Sequence, residues 1–234
     1  MAHNISSVEL GKRISALSND VVTANIYWRM YNDLVEALQK HPLVQAQSNT
    51  FWHYTLQAHA AAAIINLCRV FEKRQDTPNL LGWLKTIQSN LNLFETSEFK
   101  KRFASNAFVD SLASDARCPD KSTLETDIKN CVKDDPLVKK LMFYRDNFFA
   151  HKNTDIAIGN KPVQEEQLPS DEDIKTLLER AVTIFNRYSQ LFSAEIYSVN
   201  VIGRDDFKFI FSCVTSAVEE SRRKTQEFLA NNEN

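Results

Sequence analysis

Between Leu137 and Asn153 the chain reads LVKKLMFYRDNFFAHKN, a run that sets a permanent cation, Arg145, six residues before an imidazole, His151. On an ideal helix of about 100° per residue, Val138, Leu141, Met142, Phe148 and Phe149 all project within about 60° of Arg145. A guanidinium in the middle of an apolar stripe is expensive unless it is paired or reaches water. Either a carboxylate from elsewhere in the fold meets it, or the stripe faces a cleft or a second chain where Arg145 takes an anion. The residues alone leave both arrangements open. His151 falls about 120° around the same helix from Arg145. The two side chains converge only if the helix ends or distorts near Ala150, or if a second protomer completes the site.

Other combinations of chemistry-bearing residues are weaker. His53 and His59 stand six apart, without the HExxH pattern or the third ligand that a zinc site needs. No GxGxxG, P-loop or GxSxG sequence occurs. Glu165-Glu166 lies in a polar stretch and reads as solvated. The basic runs Lys100-Lys101-Arg102 and Arg222-Arg223-Lys224 read as polar helix faces, a setting that also suits a phosphate backbone. Arg69 and Glu72, on a central helix, either line the site or form a buried ion pair within the fold.

The elements that must position Arg145 are helices. Val8, Ile14, Leu17, Val21 and Val22 open a helical pattern that resumes through Ile26, Met30, Leu34 and Leu38 and stops before Pro42. Ser48 to Lys73 reads as a long helix, apolar nearly all round at AHAAAAIINLCRVF, as a buried helix must be. Thr77-Pro78 is read as an N-cap followed by Pro at the first helical position, and Asp135-Pro136 as a second such start, for a helix reaching about Ala150. Leu93 to Val132 suggests two or three short helices with a loop at Cys118-Pro119. Asn153 to Pro169 reads as an exposed loop. Ser170 with Asp173 forms a capping box for a helix through Phe192. A last helix, about Asp205 to Leu229, becomes wholly polar at EESRRKTQEF. No repeat or linker divides the chain, so one domain over residues 1–234 is expected, with its core at about 20–200.

Composition agrees. Four Gly and six Pro are too few for the tight turns of an all-β protein, while fifteen Phe supply core bulk. A net charge of −2 excludes the general basic excess of a dedicated duplex-DNA binder, so any nucleic-acid contact must use a local patch. Cys68, Cys118, Cys131 and Cys213 form no CxxC pair, and Cys68 and Cys213 fall in apolar helical patterns. They read as isolated buried thiols suited to a reducing compartment. No signal-peptide core or run of about 18 apolar residues occurs, so a cytoplasmic protein without membrane contact is expected.

The string YRDNFFAHKN resembles the Arg-x(4–6)-His motif of the HEPN superfamily, with polar Asp146 directly after the arginine and Ala-His at its end. AIINLCRVFEK followed by TPNLLGWLK is similar to the abortive-infection U (AbiU-type) branch, and the likeness spans about residues 20–200. The resemblance implies an all-α helical bundle of HEPN type with additional helices, forming a homodimer in which two motifs face each other. It implies a metal-independent endoribonuclease, without cofactor, in phage defence or as the toxin of a toxin–antitoxin pair. Its partners would be RNA and an antitoxin protein. Carried onto this chain, His151 is the general acid or base at the 2′-hydroxyl or the leaving 5′-oxygen. Arg145 stabilises charge on the phosphoryl oxygens, and Asp146 orients one or the other by hydrogen bonding. The product would be a 2′,3′-cyclic phosphate. A HEPN-like module that binds a nucleotide or protein without turnover is the alternative.

Overall fold

Leu10, Ile14, Leu17, Val21 and Ala24 recur every three or four residues and are all buried, giving helix α1 (Ser7–Lys40) one continuous apolar face. The structure, a computed structural model, describes residues 5–74, 76–115, 117–149, 154–200, 203 and 205–232. Helices α2 (Pro42–Gln47) and α3 (Asn49–Val70) follow, then α4 (Leu80–Ser89), α5 (Thr96–Arg102), α6 (Val109–Leu112) and α7 (Lys121–Lys129). Next come α8 (Pro136–Tyr144), α9 (Thr154–Ala157), α10 (Asp171–Ser193) and α11 (Phe207–Asn232). No strand occurs among the described residues, so the fold is all-α, as the low Gly and Pro content predicts.

The chain sorts into two compact units. One comprises Met1–Asn25 and Ile64–Val199, the other Ile26–Ala63 and Asn200–Asn234. In the first, α10 carries the strongest apolar pattern. Ile174, Leu177, Leu178, Ala181, Ile184, Phe185, Tyr188 and Phe192 are buried along one side. Trp83 of α4 meets Phe185 and Tyr188 with ring centroids 5.3 and 6.0 Å apart. In the second unit, Leu34, Ala37, Leu38, Val44 and Phe211 form a buried cluster on which Trp52, Leu56, Phe207 and Val214 pack. The stretch of α11 from Glu219 to Glu227 is exposed and polar, as its sequence predicts, while Phe228 and Leu229 beyond it are exposed apolar residues.

Side-chain caps set the starts of several helices. The Asp135 carboxylate accepts from the N–H groups of Leu137 and Val138, and Pro136 takes the first helical position of α8. Ser170 and Asp173 form the expected capping box on α10. The start of α4 departs from expectation. Its N-cap is Asn79, not Thr77, and Pro78 precedes the cap. Asn79 wins because its side chain satisfies three backbone groups at once. It accepts from Gly82 N–H at 2.7 Å and donates to the carbonyls of Arg74 and Thr77, both at 2.8 Å. Since Asn79 is buried, Asn79→Ala is expected to cost about 1–2 kcal/mol, measured by chemical denaturation.

Arg102 also departs from its expected polar face. It donates to the carbonyls of Leu93 and Phe192, and its guanidinium carbon lies 4.0 Å from the Phe192 ring centre. Arg117, buried, donates to the carbonyls of Leu112 and Gln190. Arg102 thus satisfies a carbonyl in the last turn of α10, and Arg117 adds a second donor to Gln190, whose carbonyl also accepts from Ala194 N–H. The expected loop of 153–169 contains α9 and a short 3-10 turn at Glu165–Gln167. Cys68 and Cys131 are buried, but Cys118 and Cys213 are exposed, because Cys213 lies off the face of α11 that packs.

Lys140 of α8 lies 2.9 Å from the Asp173 carboxylate of α10. Hydrogen bonding from that ammonium is the main reason the Asp173 carboxyl titrates below its ordinary range. A depressed folded-state pKa contributes stability above the unfolded pKa, and that stability is lost as pH falls through the folded one. Lys140→Ala is therefore expected to lower the unfolding midpoint at neutral pH and to make the loss on acidification shallower. Thermal unfolding across a pH series reads both effects.

Candidate functional site

Helix α8 does not continue as an α-helix to Ala150. At Arg145 it passes into a π-helical turn over Arg145–Phe149. A π turn bonds one residue further along than an α turn, so it widens the coil and re-aims every side chain after it. The expected stripe therefore divides. Val138 and Leu141, on the α-helical part, are buried, while Phe148, within the π turn, is 44% exposed. Tyr144 packs against both Phe148 and Phe149 with ring centroids 5.2 Å apart, and burial pushes its phenol upward. The distortion required for Arg145 and His151 to converge is thus present just before Ala150. His151 itself lies outside the described residues.

Arg145 is mostly buried, its side chain 21% exposed, and two carboxylates meet it. Its Nε donates to Asp146 Oδ1 at 2.8 Å, with Nη2 2.7 Å from the same oxygen. Its Nη1 donates to Glu72 Oε2. Glu72 follows the last turn of α3, and its side chain is 15% exposed, whereas that of Asp146 is 53% exposed. Burial works against the Arg145 charge, but the Asp146 hydrogen bond and the field of Glu72 outweigh it and raise its pKa. Cys68, one turn earlier on α3, feels the Arg145 charge, yet burial pushes its thiol up to about 12. It is a packing residue here, not a nucleophile.

The structure brings Arg145 and Asp146 together and adds Glu72 to them. Arg69 goes elsewhere, to Asp20 at 3.7 Å, so Arg69 and Glu72 are not the mutual pair that their spacing allows. A guanidinium has five N–H donors. Among the described residues, Nε and Nη2 face Asp146 and Nη1 faces Glu72, so one N–H on each Nη nitrogen lies outside these contacts, and the planar group stays oriented by carboxylates on two sides. Such a group is held in place and still presents donors to an oxyanion. No group of three or more His, Cys, Asp or Glu able to hold a metal is found among the described residues. No helix among them is long and apolar enough to cross a membrane.

An all-α fold whose Arg-x(5)-His sequence begins on a π turn fits a class, and the comparison with protein families agrees with it. The family model HEPN_AbiU2, described as AbiU2, matches residues 7–210. The chain belongs to the AbiU2 family of HEPN proteins. Neither the curated proteins nor the solved structures contain a match to it.

Proposed function

We propose that this protein is a metal-independent HEPN endoribonuclease that acts as a homodimer in phage defence or as the toxin of a toxin–antitoxin pair. The observation that carries this reading is the oriented Arg145 guanidinium on a π turn one residue before Ala150-His151. Transesterification needs a base to take the 2′-hydroxyl proton and an acid to protonate the departing 5′-oxygen. The 2′-oxygen bonds to phosphorus as the P–O5′ bond breaks, leaving a 2′,3′-cyclic phosphate and a 5′-hydroxyl. His151 serves as acid or base, and two facing motifs supply one of each. Arg145 stabilises the charge that gathers on the non-bridging oxygens. Asp146 and Glu72 hold the guanidinium in the plane from which it does so. The test is incubation of purified protein with a mixed cellular RNA pool in EDTA, followed by analysis of the 3′ ends. Cyclic-phosphate ends are expected; intact RNA, or cleavage only after metal is restored, contradicts the proposal.

A second reading has its own observation. Two carboxylates on one arginine neutralise it, as suits a HEPN-like module that binds a nucleotide or protein without turnover. Binding of RNA by wild type with no product over long incubation favours that reading.

A further inference from the structure

Helix α1 and the segment Asp76–Ser89 enclose a groove of about 600 Å³ within the first unit. It exists because the exposed Ala16 and Gly82, which line it from the two sides, are too small to fill it. Arg13 spans it, donating to Thr86 Oγ1 at 3.2 Å and pairing with Glu9 at 2.7 Å. The other acidic lining residue, Asp76, is taken by Arg74 at 2.8 Å. Both carboxylates of the groove are therefore matched by an arginine. Lys12 on α1 and Lys85 on α4 have no ion-pair partner among the described residues, so each wall offers one uncompensated ammonium. Ile5, Ala16 and Pro78 add apolar surface, and Thr77 and Ser89 add hydroxyl groups. Paired cations over an apolar face suit a phosphate with an attached base.

One lining residue, Asp76, follows Glu72, the Arg145 partner, by four residues, so their backbones lie within about 14 Å of each other. We propose that this groove binds a nucleotide unit of single-stranded RNA flanking the scissile linkage, with Lys12 and Lys85 on its phosphate. The inference rests on the ribonuclease reading of the Arg145 site. The same chemistry also fits a free mononucleotide, and the experiment separates the two sources.

Full-length protein carrying His151→Ala is titrated with a 5′-labelled single-stranded RNA of about ten nucleotides, and anisotropy is read at several salt concentrations. Adding Lys12→Ala and Lys85→Ala is expected to weaken binding about tenfold and to reduce the log–log salt slope by about 0.7, the value for one single-strand phosphate contact. Ala16→Phe, which fills the groove without changing charge, is expected to weaken binding while leaving that slope in place. AMP is expected to displace the RNA only from protein with Lys12 and Lys85 intact. Unchanged RNA affinity and slope in the double lysine variant overturn the inference, as does failure of the His151→Ala protein to bind RNA. AMP binding that needs both lysines but does not compete with RNA overturns the RNA assignment in favour of a free nucleotide. If wild type fails to cut RNA while the lysine effects appear, the ribonuclease reading fails and the groove stands. If wild type cuts RNA and the lysine effects are absent, the groove alone fails.

Discussion

Arg145→Ala is expected to slow RNA cleavage by about 100- to 1,000-fold, the usual loss when a preorganised donor to a developing oxyanion is removed. Arg145→Lys is expected to recover little of it. A lysine keeps the charge but not the planar fork that Asp146 and Glu72 hold from two sides. Single-turnover rates with excess enzyme isolate this chemical step from binding. The same substitution has a cost outside catalysis, because the mostly buried Glu72 loses its cation. An unsatisfied group of this kind costs about 1–3 kcal/mol. Combining Arg145→Ala with Glu72→Gln should therefore restore part of the stability without restoring cleavage. Recovery of both together would assign Arg145 to the fold and not to the chemistry.

The largest stability effect is expected at Asp127. This buried carboxylate accepts the Tyr188 hydroxyl at 2.7 Å and a hydrogen bond from Arg187, joining α7 to α10. Burial, then the hydrogen bond to Asp127, raises the Tyr188 phenol, so it remains a donor across the working pH range. Asp127→Ala leaves a buried hydroxyl and a guanidinium without their acceptor. Arg187 is 36% exposed and recovers some hydration, so the expected cost is about 2–4 kcal/mol. For a chain of this size that lowers the unfolding midpoint by about 10 °C. Tyr188→Phe should cost less, because Asp127 keeps Arg187 while the ring still packs against Trp83. Thermal unfolding of the three proteins side by side gives the order.

Local signals carried much of the fold. Asp135-Pro136 and Ser170 with Asp173 start helices where cap chemistry says they must, since the capping acceptor and its N–H partners lie within three residues. Thr77-Pro78 misled because Asn79 competes two residues on, and only folding reveals which candidate can also reach the carbonyls of Arg74 and Thr77. At the candidate site, the motif was legible and its wiring was not. A stripe at helical spacing cannot announce a π turn, since Arg145–Phe149 has the same residues whichever helix it adopts. The partner of Arg145 stands seventy-three residues earlier in the chain. The sequence offered Arg69 and Glu72 either as lining residues or as a buried ion pair, and no local pattern chose between these or showed that Glu72 meets Arg145 while Arg69 meets Asp20. Arg102 and Arg117 escaped for the same reason, because the carbonyls they meet belong to a helix far along the chain.

In the proposed mechanism Arg145 and His151 together cut RNA without a metal. Its most direct measurement places wild type, His151→Ala and Arg145→Ala on one RNA pool in EDTA, after each is shown to be folded. Cleavage by wild type alone, leaving 2′,3′-cyclic phosphates, is the expected result. Equal cleavage by all three, or none by any, would contradict the assignment of these two residues to catalysis.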